Sequence, residues 1–174
     1  MKDKQDFLFD VIKRYDHYIG TTNFKVGLMM SFMATIILGL TLRVMSLEVI
    51  LKSCNYTYYF SILFTIATIV SSLIVVINLF RAVFPNITND SSEKSLIFFG
   101  DVETCQGGSE GYLQNIKDAD LDFLLKDLAT QTFSVAGVVS EKFRLLKIAV
   151  NITVWGVIPL LATTLILLVL QGVK

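Results

Sequence analysis

The sequence predicts an all-α integral membrane protein: three transmembrane helices, an amphipathic N-terminal helix, and a small cytoplasmic insert holding one short strand and a long helix that continues into the third span. Three observations carry this. Hydrophobic residues make up 53% of the 174-residue chain and charged residues only 17%, a balance that belongs to membrane proteins. Three stretches, Val26–Leu42, Ser53–Phe80 and Ile148–Val173, hold no charged residue, and a bilayer core of about 30 Å needs about 20 helical residues to cross. Lys and Arg are also unevenly placed. Five precede the first span, two lie between Arg43 and Thr57, seven between Arg81 and Lys147, and one at Lys174. The positive-inside rule then puts the N-terminus and the insert in the cytoplasm, with the short loop and the C-terminus outside.

The expected organisation follows: a cytoplasmic helix over 1–24, spans one and two over 25–84 with an external loop at 43–57, a cytoplasmic insert and helical stalk over 85–147, and span three over 148–174. The first span has only 17 uncharged residues and lengthens through Val44–Leu47 if Arg43 snorkels. With four acids among its first 25 residues, the N-terminal segment is not a secretory leader, so span one is expected to be retained.

In QDFLFDVIKRYDHYIG (5–20), Phe7, Leu8, Val11, Ile12, Tyr15, Tyr18 and Ile19 share one side, and Asp10, Lys13, Arg14 and His17 the other, the pattern of an amphipathic helix. Its balanced charge favours packing on the insert over lying on the membrane. Gly20 is expected to end it, with Thr21-Thr22-Asn23 capping the next helix. Span one carries Gly27, Ser31, Thr35 and Gly39; span two carries Ser61, Thr65, Thr68 and Ser72. Such stripes serve close helix packing, which is favoured here over the lining of a pore. No span holds a central ionisable residue, which argues against a proton relay or an ion-coupled transporter.

Pro85 is expected to stop the second helix, and residues 86–95 form a polar turn. SLIFFGD reads as a strand over Leu96–Phe99 followed by a turn, and SEGYLQNIKD (109–118) as a short helix. From Asp118 onward Leu121, Leu125, Leu128, Val135, Val139 and Leu146 recur at helical spacing, with Asp118 or Asp120 as N-cap. No strong break separates this helix from span three, so one element of about 75 Å is expected over 120–170. It would act as a rigid lever from insert to bilayer. Lys142, Arg144 and Lys147 are expected to reach headgroups, and Gly156 and Pro159 to kink the buried half.

Chemistry is hard to place. The one histidine, His17, sits among solvated neighbours, so a nucleophile lacks its usual base, and QGGSEG lacks the Gly-Lys-Ser/Thr of a phosphate loop. Cys54 and Cys105 show no metal spacing. On the expected topology they lie on opposite sides and do not pair. Asn-X-Ser/Thr matches occur at Asn55, Asn86, Asn89 and Asn151, of which only Asn55 faces outward. Neither an enzyme, a metal site nor a nucleic-acid partner is expected. In the insert, Gly100 and the Gly107-Gly108 pair allow backbone N–H groups to approach an anion, and Asp101 can accept from a base or ribose. A plain turn at Gly100-Asp101, and a core role for Phe98 and Phe99, stand beside that reading.

The order TTNFK, a second span ending in FRAVFP, SLIFFGD, a helix with YLQ, a long helix with Gln131 and EKFRLLK before the last span resembles the transmembrane effector family of Pycsar, the bacterial pyrimidine cyclase system for antiphage resistance. IFFGD (97–101), Tyr112-Leu113 and Lys142 carry the likeness over nearly the whole chain. The family pattern places an acid before the lysine that heads span one; Asn23-Phe24 stand there in this chain. A homo-oligomer is expected because three spans in one copy hardly enclose a conduit, and the resemblance implies an effector in the bacterial inner membrane. A partner cyclase makes a cyclic pyrimidine mononucleotide, cUMP or cCMP, and the effector then impairs the membrane. It assigns no nucleotide-binding residues. A competing expectation is a non-conducting membrane scaffold or regulatory subunit whose insert binds a protein.

Overall fold

The computed structural model describes residues 2–45, 56–84 and 94–172; of the expected features, Cys54, Asn55, the Pro85 stop, most of the external loop and most of the polar turn at 86–95 lie outside them. The described chain is helical: α1 (Lys2–Met45), α2 (Tyr56–Val83), α3 (Phe99–Glu103), α4 (Gly108–Asp118), α5 (Leu121–Ile152), a π-helical turn (Thr153–Val157) and α6 (Ile158–Gly172). It falls into two units, Met1–Thr21 with Pro85–Glu141 and Thr22–Phe84 with Lys142–Lys174. Three helical stretches, Asp3–Met45, Tyr56–Val83 and Leu121–Leu170, are long and apolar enough to cross a membrane.

Two expectations are corrected. The chain does not break at Gly20: α1 runs through Thr21-Thr22-Asn23 without interruption. A helical glycine costs only about 1 kcal/mol against alanine, and Gly20 does not take the left-handed conformation of a C-cap. Instead Thr22 and Val26 are buried on one face of the continuing helix. Nor is there a strand at Leu96–Phe99; among the described residues there is none. The Ser95 hydroxyl accepts from the N–H groups of Ile97 and Phe98 (3.0 and 2.9 Å), and Phe98 O accepts from Asp101 and Val102 N–H. These local bonds turn the backbone into α3 before it can pair with anything.

The insert unit is built by a few polar ties. Leu96 N–H donates to Asp127 Oδ2 (2.8 Å), Ser95 N–H to Asp101 Oδ2 (3.0 Å), and Tyr112 OH to Leu96 O (2.8 Å). Gly107 and Gly108 adopt left-handed φ of 81° and 59° and make the turn into α4. Gly111 is required by close approach, because a Cβ there would overlap the Gln106 carbonyl oxygen. Asp120 caps α5, accepting from Phe123 N–H at 2.6 Å. The amphipathic part of α1 is in this unit, with Leu8, Val11, Ile12, Tyr15 and Ile19 half-buried but Phe7 and Tyr18 exposed.

The other unit has an apolar core of Val26, Met33, Ile36 and Leu40 from α1, Val75, Leu79 and Ala82 from α2, and Leu145, Leu146, Ala149 and Val157. Its outer faces stay strongly apolar: Leu28, Phe32 and Leu38 on α1, Leu63, Ile66 and Val70 on α2, and Leu165, Ile166 and Val169 on α6 are about half exposed. In water such faces would be unstable; in hydrocarbon they are at home. The π turn precedes Pro159, which has no N–H for the carbonyl four residues back. Ile158 N–H bonds Thr153 O, five residues back, instead, the register shift that lets a helix absorb such a defect.

Candidate functional site

Among the described charged residues of the membrane unit, Lys142 is the buried one. Expected at the headgroups with Arg144 and Lys147, it is turned inward and is 4% exposed, whereas Arg144 and Lys147 are exposed. Its ammonium donates to Ala82 O (2.7 Å), Val83 O (3.1 Å) and Asn23 Oδ1 (3.0 Å). Ala82 and Val83 end α2, so two carbonyls without helical partners are satisfied by a cation at the negative end of the helix dipole. Three donors meet three acceptors, and α1, α2 and α5 are tied at one point. Sequence reasoning marked Lys142 but missed the pairing, because Asn23 and Lys142 are 119 positions apart.

The two small-residue stripes part ways. Ser61, Thr65, Thr68 and Ser72 are all buried on the helix that approaches α6 and the π turn closely. Thr65, Thr68 and Ser72 each donate to a carbonyl four residues back, at 2.7, 2.7 and 2.8 Å. The Thr68 and Thr164 hydroxyls lie 3.2 Å apart. This stripe is a packing seam, self-satisfied and closed. Gly27, Ser31, Thr35 and Gly39 are exposed, and a Cβ at Gly27 or Gly39 would meet nothing within 4 Å. Ser31 and Thr35 are likewise satisfied along their own helix.

In the insert, the four expected ligand residues do not act together. Asp101 lines a cavity of about 340 Å³, together with Lys94, Cys105, Gln106, Tyr112 and Asn115. Gly100 does not line it; it leaves room for the Phe98 ring, whose Cε1 would stand 2.8 Å from a Cβ. Gly107 and Gly108 shape the turn before α4 rather than the cavity wall. The Phe98 and Phe99 rings meet at 4.8 Å with their planes tilted by 46°, but Phe99 is 72% exposed and no core residue. Among the described residues no group of three His, Cys, Asp or Glu side chains is placed to hold a metal. Gln131, part of the resemblance, is buried with its Nε2 atom unpartnered.

Compared with known proteins, residues 7–170 match the family described as the Pycsar effector protein domain. The chain belongs to the Pycsar effector family. It is 27% identical over 161 residues to "Pycsar effector protein EcPycTM" of Escherichia coli, covering 86% of this chain and 83% of that relative. No solved structure matches it. For this Pycsar effector, the motifs behind the resemblance have structural work to do. IFFGD makes the bend and α3, Tyr112 pins that bend through Leu96 O, and Lys142 ties three helices. An antiphage-defence effector built on membrane-length helices is the plain reading of family and fold together.

Proposed function

We propose that this chain impairs the bacterial inner membrane when a cyclic pyrimidine mononucleotide, cUMP or cCMP, made by a partner cyclase, binds its insert. The observation that carries the reading is that, within one Pycsar effector, a helical element of membrane length starts in the insert unit and runs on into the membrane unit, as α1 also does. That element runs from Leu121 through the π turn to Gly172. The Lys and Arg distribution supports a cytoplasmic N-terminus and insert and an external C-terminus. The proposed role is ligand binding and membrane impairment without catalysis, needing no cofactor beyond the activating nucleotide. Arg144 and Lys147 sit at the headgroup level in this reading.

The energetics are within reach. Moving a resting-to-active equilibrium from 1:99 to 99:1 takes roughly 5.5 kcal/mol of differential binding. A charge-assisted hydrogen bond contributes about 1.5–3 kcal/mol, so two or three ligand contacts suffice, and fewer per site in an oligomer. Homo-oligomerisation belongs to the proposal because three spans hardly enclose a conduit. The exposed Gly27–Gly39 stripe is the face available to a second copy, while the Ser61–Ser72 stripe is closed in this state. That closure is also what favours the second reading, a non-conducting scaffold whose stripes only pack helices.

Liposomes loaded with dye and carrying the purified protein test this directly. Leakage on addition of cUMP or cCMP, but not of other cyclic mono- or dinucleotides, is the expected result. No leakage with any nucleotide, in protein shown to be helical and inserted, overturns it in favour of the scaffold.

A further inference from the structure

We propose that the cavity walled by Lys94, Asp101, Cys105, Gln106, Tyr112 and Asn115 is the nucleotide site, and that it selects a singly charged cyclic mononucleotide. This rests on the activation proposed above and says where the ligand goes and why that class fits. A volume of about 340 Å³ lies at the small end of small-ligand sites, which run from about 300 to 1,000 Å³. It suits one nucleotide rather than a cyclic dinucleotide. The wall is preformed. Ser95 and Leu96, on one side, are fixed by Asp101, Asp127 and Tyr112 through bonds of 2.8 to 3.0 Å, and Asn115 and Tyr112 project from one face of α4.

The polar groups suit the ligand in kind. Lys94 is the cation on the wall, and a cyclic phosphodiester carries one negative charge, where a 5′-monophosphate carries close to two. With one lysine and one carboxylate, Asp101, on its wall, the cavity tolerates the first far better than the second, since each excess negative charge in a partly desolvated site goes unpaired. Asp101 accepts from a ribose hydroxyl. Asn115 Nδ2 spends its bond on Cys105 Sγ at 3.4 Å, a weak acceptor, and readily trades it for a base carbonyl. Its amide offers one donor face and one acceptor face, as the edges of uracil and cytosine require. A neighbouring hollow of about 470 Å³ shares Lys94 and Asn115 but is walled by Asp118 and Asp120, which disfavour a phosphate.

Cys105 is half-buried on the wall and makes a built-in reporter. Full-length protein in nanodiscs is alkylated with iodoacetamide, and labelling of Cys105 is followed by peptide mass spectrometry with Cys54 as internal control. Cyclic CMP or cyclic UMP at ten times its Kd is expected to slow Cys105 labelling about tenfold, with 5′-UMP and cyclic dinucleotides ineffective. Lys94→Met is expected to weaken binding roughly tenfold to a hundredfold, the loss of one charge-assisted bond, and Asn115→Ala about tenfold. Asn115→Asp, nearly isosteric, covers the case where the alanine variant misfolds, and the labelling experiment needs no variant. Binding that leaves Cys105 unprotected and is unchanged in Lys94→Met moves the site elsewhere while the activation stands. Equal protection by 5′-UMP overturns the charge argument. No binding of any cyclic mononucleotide overturns site and activation together.

Discussion

Replacing Asn23 by aspartate should strengthen the Lys142 junction. The ammonium stands 3.0 Å from Asn23 Oδ1 and has only neutral acceptors among its hydrogen-bond partners. A carboxylate at that distance attracts it by about 5.5 kcal/mol at an effective dielectric of 20. Most of that is offset, because Asn23 is exposed and an exposed carboxylate gives up hydration and is screened. With Lys142 itself buried, a net gain of about 1–2 kcal/mol remains. For a chain of this size that raises the melting temperature by about 2–8 °C, measured by circular dichroism in detergent. Lys142→Met removes all three bonds and orphans two helix-end carbonyls, and is expected to cost about 2–4 kcal/mol. The deciding quantity is the double-mutant cycle. Aspartate should bring no gain in the Lys142→Met background, so the coupling should exceed 1 kcal/mol. A coupling within about 0.5 kcal/mol of zero would refute the junction. If this geometry is the resting state, Asn23→Asp should also raise the nucleotide concentration for half-maximal leakage, about tenfold per 1.4 kcal/mol.

Other substitutions probe packing. Gly111→Ala is expected to cost at least 2–3 kcal/mol, seen as loss of protection from proteolysis in the insert, since its Cβ meets the Gln106 carbonyl backbone. Gly39→Ala meets nothing within the chain and should be neutral or stabilise by up to about 1 kcal/mol in dilute detergent. Gln131→Met should raise the melting temperature, because a buried amide donor without a partner costs about 1–3 kcal/mol and methionine fills a similar volume. An unchanged or lowered melting temperature would mean that Gln131 is satisfied.

Much was legible in the sequence because it is written locally. Charge-free stretches of membrane length, the period of the long helix, the α4 segment and the cap at Asp120 depend on residues within a few turns of one another. The local signals that misled were equally local. Gly20 and Thr21-Thr22-Asn23 carry the marks of a helix break, yet the burial of Thr22 and Val26 keeps α1 going. The apolar run Leu96–Phe99 has strand composition, but Ser95 and a distant Asp127 bend it first.

By itself, then, the sequence determined that the chain has three membrane-length helices, which way their charges favour insertion, and which family it resembles. Hydrophobicity and periodicity are properties of neighbouring residues, and they survive without knowledge of partners. Only the tertiary structure decided that Lys142 faces inward and not to the headgroups, that one small-residue stripe is a closed seam and the other an open face, and that Asp101 shares a cavity with Cys105 and Asn115 while Gly100, Gly107 and Gly108 shape its surroundings. Each of those depends on which distant surface a side chain meets, and a buried polar group declares its partner only once both ends of the contact are in place.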